Sequence, residues 1–521
     1  MRSRSELRKR VPGASKYALT AIGAAALVTF GANSQQAVQQ APTPLQSNTH
    51  AVLISVAVRD STGQVISDLC RQDFTVTDEG KPRDFRMFPT DDGAPVVHPL
   101  AVVVPGVFSN RNVLGESTGR VTTILLDAIN TAFTDQASAK AQAIKAVKEI
   151  TPGDNIAIYS VWMPGGSTSG IPSLSVLQDY TTDKALLIKA LEYYTPHLPT
   201  GVGADESGGP FRADNNRQLP AVQRSNPQLQ QLQRMNRLDA TLETLRLIAT
   251  HMTGATHRNS IIWITSGYPP VNEENAQMQA ALAAINDANI AIYPIDARGL
   301  SASANAYINI QTMQAFAEET GGQAYFNRND IDHEIQEAIS DPQSTYLLGF
   351  YLSDHDLDGK FHKLKVTVDR PGLTLHYRAG YTASADPNLR RAAAEPIDTQ
   401  MLSFLDSAAI GIQAQVAREN DASRKSLKVS LSLDRNTLGL KAGQQQVNLV
   451  EMFAEIDNQG QIVARITQSV RFDMPAPNRD PGYDQTIREQ EGATRLRVFV
   501  QDKATGRTGS LTIPLADISA N

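Results

Sequence analysis

The sequence predicts an α/β fold: a doubly wound, mostly parallel sheet, with flanking β segments and a C-terminal β-sandwich-like domain. Three observations predict it. Between 121 and 340, short apolar runs such as Val121-Thr-Thr-Ile-Leu-Leu126 and Ser260-Ile-Ile-Trp-Ile-Thr265 alternate with helical stretches. Strands this apolar are covered on both faces, as in a parallel sheet flanked by helices. On either side, over 52–88 and 344–382, apolar residues tend to alternate with period two, the pattern of half-buried antiparallel strands. Beyond 398, strand runs are separated by the turn signals Asp457-Asn-Gln-Gly460 and Asp502-Lys-Ala-Thr-Gly506, as in a small sandwich.

The chain has 521 residues, 41% hydrophobic and 20% charged, enough for about three or four domains with cores of their own. Its beginning differs from the rest. Arg2, Arg4, Arg8, Lys9, Arg10 and Lys16 precede an apolar run from Tyr17 to Ala32, and Ala32-Asn33-Ser34 supplies small residues after it. This describes a secretory signal over 1–34. The alternative is an uncleaved membrane anchor, although the run falls short of the ~20 residues that span a bilayer comfortably. The leader holds six of the 48 basic and one of the 54 acidic residues, so the body after it carries a formal charge of −11. An acidic body argues against nucleic-acid and anionic-membrane partners. Cys70, the single cysteine, can form no intrachain disulfide and reads as a small half-buried residue.

The elements follow in order. Residues 35–48 are a Gln/Pro/Ser/Thr-rich linker. An N-terminal β segment spans 49–117, with Val52, Ile54, Val56 and Val58 on one face. The α/β domain spans 118–342, with strands near 121–126, 156–161, 260–265, 290–295 and 323–326, and an edge strand at 173–178. Within it, 197–236 is rich in Gly, Pro, Asn and Gln without periodicity, and reads as a flexible insertion. A β segment over 343–382 is expected to pack with 49–117, since neither alone has strands enough for an independent sandwich. A linker over 383–397 and a short helix at 401–408 lead into the C-terminal β domain, 398–521.

Several motifs together resemble the bacterial VWFA-related domain family, best represented in acidobacterial genomes and von Willebrand factor A-like (vWA-like). Leu125-Leu-Asp-Ala-Ile-Asn-Thr131 with Asp135 is similar to its first strand and turn. Arg258-Asn-Ser-Ile-Ile-Trp-Ile-Thr-Ser-Gly267 resembles the fourth strand, and Ile292-Tyr-Pro-Ile-Asp-Ala-Arg-Gly299 the fifth. Tyr346-Leu-Leu-Gly-Phe-Tyr351 and 358–381 resemble the downstream β segment. The likeness covers about 50–382 and implies a vWA-like fold with strand order 3-2-1-4-5-6.

That resemblance also implies where a divalent cation would sit. The family pattern Asp-x-Ser-x-Ser is met here by Asp127, by Ile129 in place of the first Ser, and by Thr131; Asn130 is a one-residue-shifted substitute. Ser266 stands where an Asp is expected after the fourth strand. Asp127, Thr131 and Ser266 are thus either a weak, partner-completed Mg²⁺ site or a metal-free polar turn cluster, since Mg²⁺ usually needs one or two carboxylates. Asp296, two strands from the first, reads as a cap or a salt-bridge partner of Arg298.

Other motifs fail. Asp354-His-Asp-Leu-Asp-Gly359 begins like a calcium loop, but its twelfth position is Lys365. His333-Glu-Ile-Gln-Glu337 lacks the second His of a zinc protease, and Gly165-Gly-Ser-Thr-Ser-Gly170 has Thr at the nucleophile position. No phosphate-binding Gly-rich loop follows the first strand, so no nucleotide is expected.

The sequence therefore points to a non-enzymatic, exported protein-binding or adhesion-type module, periplasmic, envelope-associated or extracellular. Its binding face would comprise Asp127, Asn130, Thr131, Ser266, Tyr268, Asp296 and Arg298 at the C-terminal edge of the sheet, where ligands bind in open parallel sheets. The alternative is a structural or envelope-assembly protein with an inert top face. On this reading, replacing Asp127 by Ala would weaken partner binding more than folding.

Overall fold

Val52, Ile54, Val56 and Val58 point to one side of β1 (Ala51–Arg59), and that side is buried. The computed structural model describes residues 51–88, 106–110, 121–150, 154–163, 172–197, 227–252, 259–267, 275–300, 304–340, 345–383 and 405–518, with short breaks at 354–355, 359, 422–423, 439, 441–443, 445, 459–460 and 475–479. The expected leader over 1–34, the linker over 35–48, residues 384–397 of the second linker, the Gly-rich turn at 165–170 and Tyr268 lie outside the described residues.

The strands before the α/β unit are β1, β2 (Phe74–Asp78), β3 (Lys81–Pro82), β4 (Arg86–Phe88) and β5 (Val107–Ser109). The unit itself holds β6 (Val121–Asp127), β7 (Asn155–Trp162), β8 (Ser173–Thr181), β9 (Asn259–Thr265) and β10 (Ile290–Asp296). After it come β11 (Thr345–Tyr351), β12 (Phe361–Val368), β13 (Thr374–His376) and β14 (Gly380–Thr382). The last group is β15 (Ile412–Asp421), β16 (Arg424–Leu433), β17 (Gln446–Asp457), β18 (Ile462–Asp473), β19 (Gly482–Arg488), β20 (Ala493–Asp502) and β21 (Thr508–Pro514).

The central sheet runs β10-β9-β6-β7-β8. Its first three pairings are parallel and the β7–β8 pairing is antiparallel. The sheet is therefore only partly parallel, with β8 as its antiparallel edge. The physical reason lies in the β7–β8 connection, whose ten or so residues suit an antiparallel return, whereas a parallel crossover needs a dozen or more, usually with a helix. A single parallel bridge from Ile295 to Tyr325 extends the sheet beyond β10. One face packs on helices Pro227–Met252 and Ala276–Asp287 through Leu242, Leu245, Ile248 and Ile285 around Trp263. The other packs on Phe133–Glu149, Lys184–Tyr193 and Ile331–Ser340 through Ala143, Val147, Leu191 and Ile335.

The helix Pro227–Met252 revises the boundary of the insertion, because 227–236 is helical. Pro227 suits the first helical position, where the missing N–H has no partner to lose, and a run of Gln, Leu, Arg and Met after it favours helix. The rest of the insertion, 198–226, lies outside the described residues.

β1 pairs antiparallel with β11 and β13, β11 with β4, and β2 with β12, so strands from before and after the α/β unit enclose one core. The C-terminal strands form two four-stranded sheets, β19-β16-β15-β5 and β18-β17-β20-β21, around another core. β5, grouped by sequence with the N-terminal segment, pairs instead with β15. Its neighbour Asn110 ties it there, donating to the Ser407 and Ile410 carbonyls and accepting from the Ile412 N–H. The helix expected at 401–408 is absent from 405–408, which bridges β21 through Ala408, and 401–404 lie outside the described residues. Cys70 is exposed rather than half-buried.

A tight approach joins the helix Ala304–Thr320 to the β10 edge. A Cβ on Gly322 would overlap the Ile292 carbonyl oxygen. Gly322→Ala should lower the urea midpoint, costing about 1–3 kcal/mol. An unchanged midpoint would show that β10 can yield at Ile292.

Candidate functional site

Chain order along the sheet reverses between β6 and β9: the chain passes β6, β7, β8 in one direction, then β9, β10 in the other. At such a switch the loops leaving the C-terminal strand ends diverge, opening the place where ligands bind in α/β sheets. Asp127 ends β6 and Thr265 ends β9, so the switch brings together the two stretches that carry most of the sequence-predicted site.

Asp127 is buried and its carboxylate is fully engaged. Its Oδ1 accepts from the N–H groups of Ile129 (2.9 Å) and Asn130 (3.0 Å). Its Oδ2 accepts from Asn130 Nδ2 (2.8 Å), Trp263 Nε1 (3.0 Å) and Thr265 Oγ1 (2.8 Å). Five donors meet a group with about four lone-pair sites. Burial pushes the Asp127 carboxyl up from the usual range, and the bonds from Asn130, Thr265 and Trp263 pull it back. Asn130 Nδ2 also donates to Thr241 Oγ1 (2.9 Å), whose hydroxyl donates to the Arg237 carbonyl (2.8 Å). Asp127 therefore ties β6, its following loop, β9 and the helix Pro227–Met252 into one polar knot.

Around the knot, Asn130 Oδ1, Thr131 Oγ1 and Ser266 Oγ are buried without a hydrogen-bond partner. Gly267 follows with φ +82°, and a Cβ there would stand 2.6 Å from Asn309 Cβ. Asn309 Nδ2 in turn donates to the Ser266 carbonyl (3.0 Å). A side chain at 267 would push away the helix that supports this turn.

These residues do not fit a divalent cation. Mg²⁺ is usually held through one or two carboxylates, and the one carboxylate here already accepts from five protein donors, leaving three neutral oxygens. Among the described residues, no group of three or more His, Cys, Asp or Glu could hold a metal ion. In this structure Asp127 is a structural hub, held by five protein donors.

Asp296 ends β10, beside Thr265 in register. It accepts from Arg298 N (3.0 Å) and Nε (2.8 Å) on Oδ1 and from Arg298 Nη2 (2.8 Å) on Oδ2. This bidentate pair closes the turn on itself. Nearby, Glu334 is buried with Arg328 Nε 3.6 Å away, and its Oε1 has no hydrogen bond. Burial raises Glu334 to about 7, against the Arg328 charge and with help from Asp330, Glu337 and Asp296.

The calcium-like loop is also committed elsewhere. Arg83 Nη2 lies 2.7 Å from Asp356 Oδ1 and 2.7 Å from Asp78 Oδ2. His362 Nε2 meets Asp358 Oδ1 at 3.2 Å. Sequence reasoning missed Trp263, Thr265, Thr241 and Asn309. The first two carried a signal: they alternate onto one face of β9, the face toward Asp127. Thr241 and Asn309 carried none, because helices distant in sequence deliver them.

No family model matches the chain, and no curated protein matches it. Solved structures give remote likenesses. The SpRpn10 VWA domain is 10% identical, with a TM-score of 0.24 over 42% of this chain and 94% of its own. The pilus adhesin SpaC from Lactobacillus rhamnosus GG is 9% identical, with a TM-score of 0.25, over 87% of this chain and 62% of its own. The open conformation of that adhesin gives 8% identity and a TM-score of 0.27, over 87% and 74%.

Asp127→Ala would leave buried donors without an acceptor. It should cost about 3 kcal/mol or more, reversing the expectation that it acts on binding rather than folding; a urea midpoint equal to wild type would refute the hub. Mg²⁺ or EDTA should leave that midpoint in place. Glu334 holds its proton more tightly folded than unfolded. Its contribution is therefore complete below its ordinary 4.5 and declines as pH rises through about 7. Glu334→Gln should flatten that part of the stability profile, and parallel profiles would rule the effect out.

Proposed function

We propose that this chain is a non-catalytic, exported, vWA-like protein-binding module of adhesion type, which takes its partner at the β6–β9 switch without a metal ion. The observation that carries this reading is the exposure of large apolar side chains on the segments that border the polar knot. Phe133 (43% exposed) begins the helix that follows the Asp127 loop, and Leu300 (66%) follows β10. Leu232 (50%) and Met235 (54%) lie on the helix Pro227–Met252. That helix touches the knot at Thr241, so at 1.5 Å per residue Met235 and Leu232 stand about 9 and 14 Å further along it. Exposed apolar side chains bordering a polar knot suit a protein surface, where a few anchors supply most of the affinity.

The same arrangement speaks against hydrolysis. The acidic and hydroxyl groups of the knot hold one another in place, and no base is set beside a nucleophile among the described residues that line it. Export rests on the basic start and short apolar run at 1–34. Among the described residues, no helix is long and apolar enough to cross a membrane.

A photo-cross-linking side chain at Leu300 should capture a discrete protein in envelope preparations from the producing cells. With that partner purified, Phe133→Asp and Leu300→Asp should each weaken binding at least tenfold (about 1.4 kcal/mol), with urea midpoints unchanged and no response to EDTA. Undiminished affinity in both variants would favour the envelope-assembly reading, in which the β units matter and this edge is inert. N-terminal sequencing of the exported protein should begin near Gln35, and intact Met1 in a soluble cytosolic pool would argue against a cleaved leader.

A further inference from the structure

His251 sits in the last turn of the helix Pro227–Met252, where the segment 405–410 crosses from the α/β unit to the C-terminal sheets. That segment is held from both sides. Toward the C-terminal sheets, Asp406 Oδ1 accepts from Thr512 Oγ1 (2.9 Å) and lies 3.2 Å from Arg497 Nη1; its Oδ2 accepts from Thr512 N (2.9 Å). Ser407 N donates to Ser510 Oγ (2.8 Å), and Ser407 Oγ to the Thr508 carbonyl (2.8 Å). Toward the α/β unit the hold is thinner. Leu405 packs into its core, the Ala408 N–H reaches the Thr250 carbonyl at 3.4 Å, and His251 Nδ1 meets the Asp406 carbonyl at 2.5 Å. The His251 bond is by far the shorter of the two.

A carbonyl oxygen can only accept, so His251 Nδ1 carries a proton. In the neutral ring Nε2 would then be a bare lone pair. It is buried, has no hydrogen-bond partner, and faces Asp179 Oδ1 at 3.9 Å. A lone pair aimed at a carboxylate is unfavourable; a second ring proton turns the same geometry into an ion pair. Among the described residues, the charged and titratable groups facing the ring act in one direction or are already paired. Asp179 on β8 accepts from Tyr159 Oη (3.0 Å) and from the Tyr180 N–H (2.9 Å). Tyr180 stacks on the imidazole at 6.0 Å and shares its own hydroxyl with Thr123. Arg246, on the same helix, forks onto Glu243. Asp406 is bonded to Thr512 and Arg497. The C-terminal end of a helix adds to the preference for a cation.

We propose that 405–410 is a proton-sensitive latch, in which doubly protonated His251 bridges the Asp406 carbonyl and the Asp179 carboxylate and so fastens the C-terminal β unit to the α/β unit. Burial pulls the imidazole down, but Asp179 and Asp406 outweigh it and hold it above the ordinary histidine value of 6.5. The latch is therefore fully fastened below pH 6.5 and loosens as pH rises through the folded value.

The test uses the mature chain labelled with ¹³C-histidine, with hydrogen exchange of the 405–410 peptide corrected for intrinsic rates. His251, assigned by loss of its signal in His251→Asn, should titrate above 6.5. Protection of 405–410 should fall at least threefold across that titration. Asp179→Asn, at a side chain 45% exposed, should fold normally, bring the midpoint to 6.5 or lower, and remove the step in protection. If His251→Asn does not fold, the resonance that moves in Asp179→Asn identifies His251. A wild-type midpoint at or below 6.5, a midpoint indifferent to Asp179→Asn, or constant protection across the titration would each overturn the latch.

Discussion

The arrangement of the α/β unit depends on one buried carboxylate. Asp127 can remain in a dry interior only because five donors surround it, and those donors come from its own turn, from two positions of β9, and from an Asn that is itself anchored to a helix more than a hundred residues away. Each donor has its geometry fixed by the others, so the turn after β6 and the end of β9 are locked in mutual register. Phe133 begins the helix that follows this turn, and Leu232 and Met235 lie on the helix that the knot reaches at Thr241.

The lone pairs of that carboxylate are taken up from across the sheet. Trp263 and Thr265 of β9 both donate to Asp127 Oδ2. An indole N–H and a hydroxyl are weaker partners than a metal ion, yet they need no exchange with solvent and hold the carboxylate in place permanently. Asp296 follows the same logic with Arg298: a carboxylate at a strand end, closed by a donor two residues away.

The β units depend on long-range closure. β1 and β11 pair across the whole α/β unit that lies between them in sequence, and β5 reaches β15 across some three hundred residues. Bringing such distant segments together carries a loop-closure entropy that local helices avoid. The apolar faces of Val52, Ile54, Val56 and Val58 against Tyr346, Leu348 and Phe350 offset it by burial. Among the described residues, the segment 405–410 is hydrogen-bonded both to the α/β unit and to the C-terminal sheets.

The sequence by itself determined the elements whose burial is periodic. The apolar strands of the α/β unit, the alternation of Val52, Ile54, Val56 and Val58 in β1, and the turn at Asp502–Gly506 follow from side-chain period and turn chemistry, which are local properties. Tertiary structure decided the direction of β8, the sheet that β5 joins, the helical start at Pro227, and the non-helical path of 405–408, because each depends on a partner that the local sequence does not contain. It decided the role of Asp127 for the same reason. Whether a buried carboxylate binds a cation or anchors a turn depends on how many donors surround it, and Trp263, Thr265 and Asn130 meet around it only when β6 and β9 lie side by side.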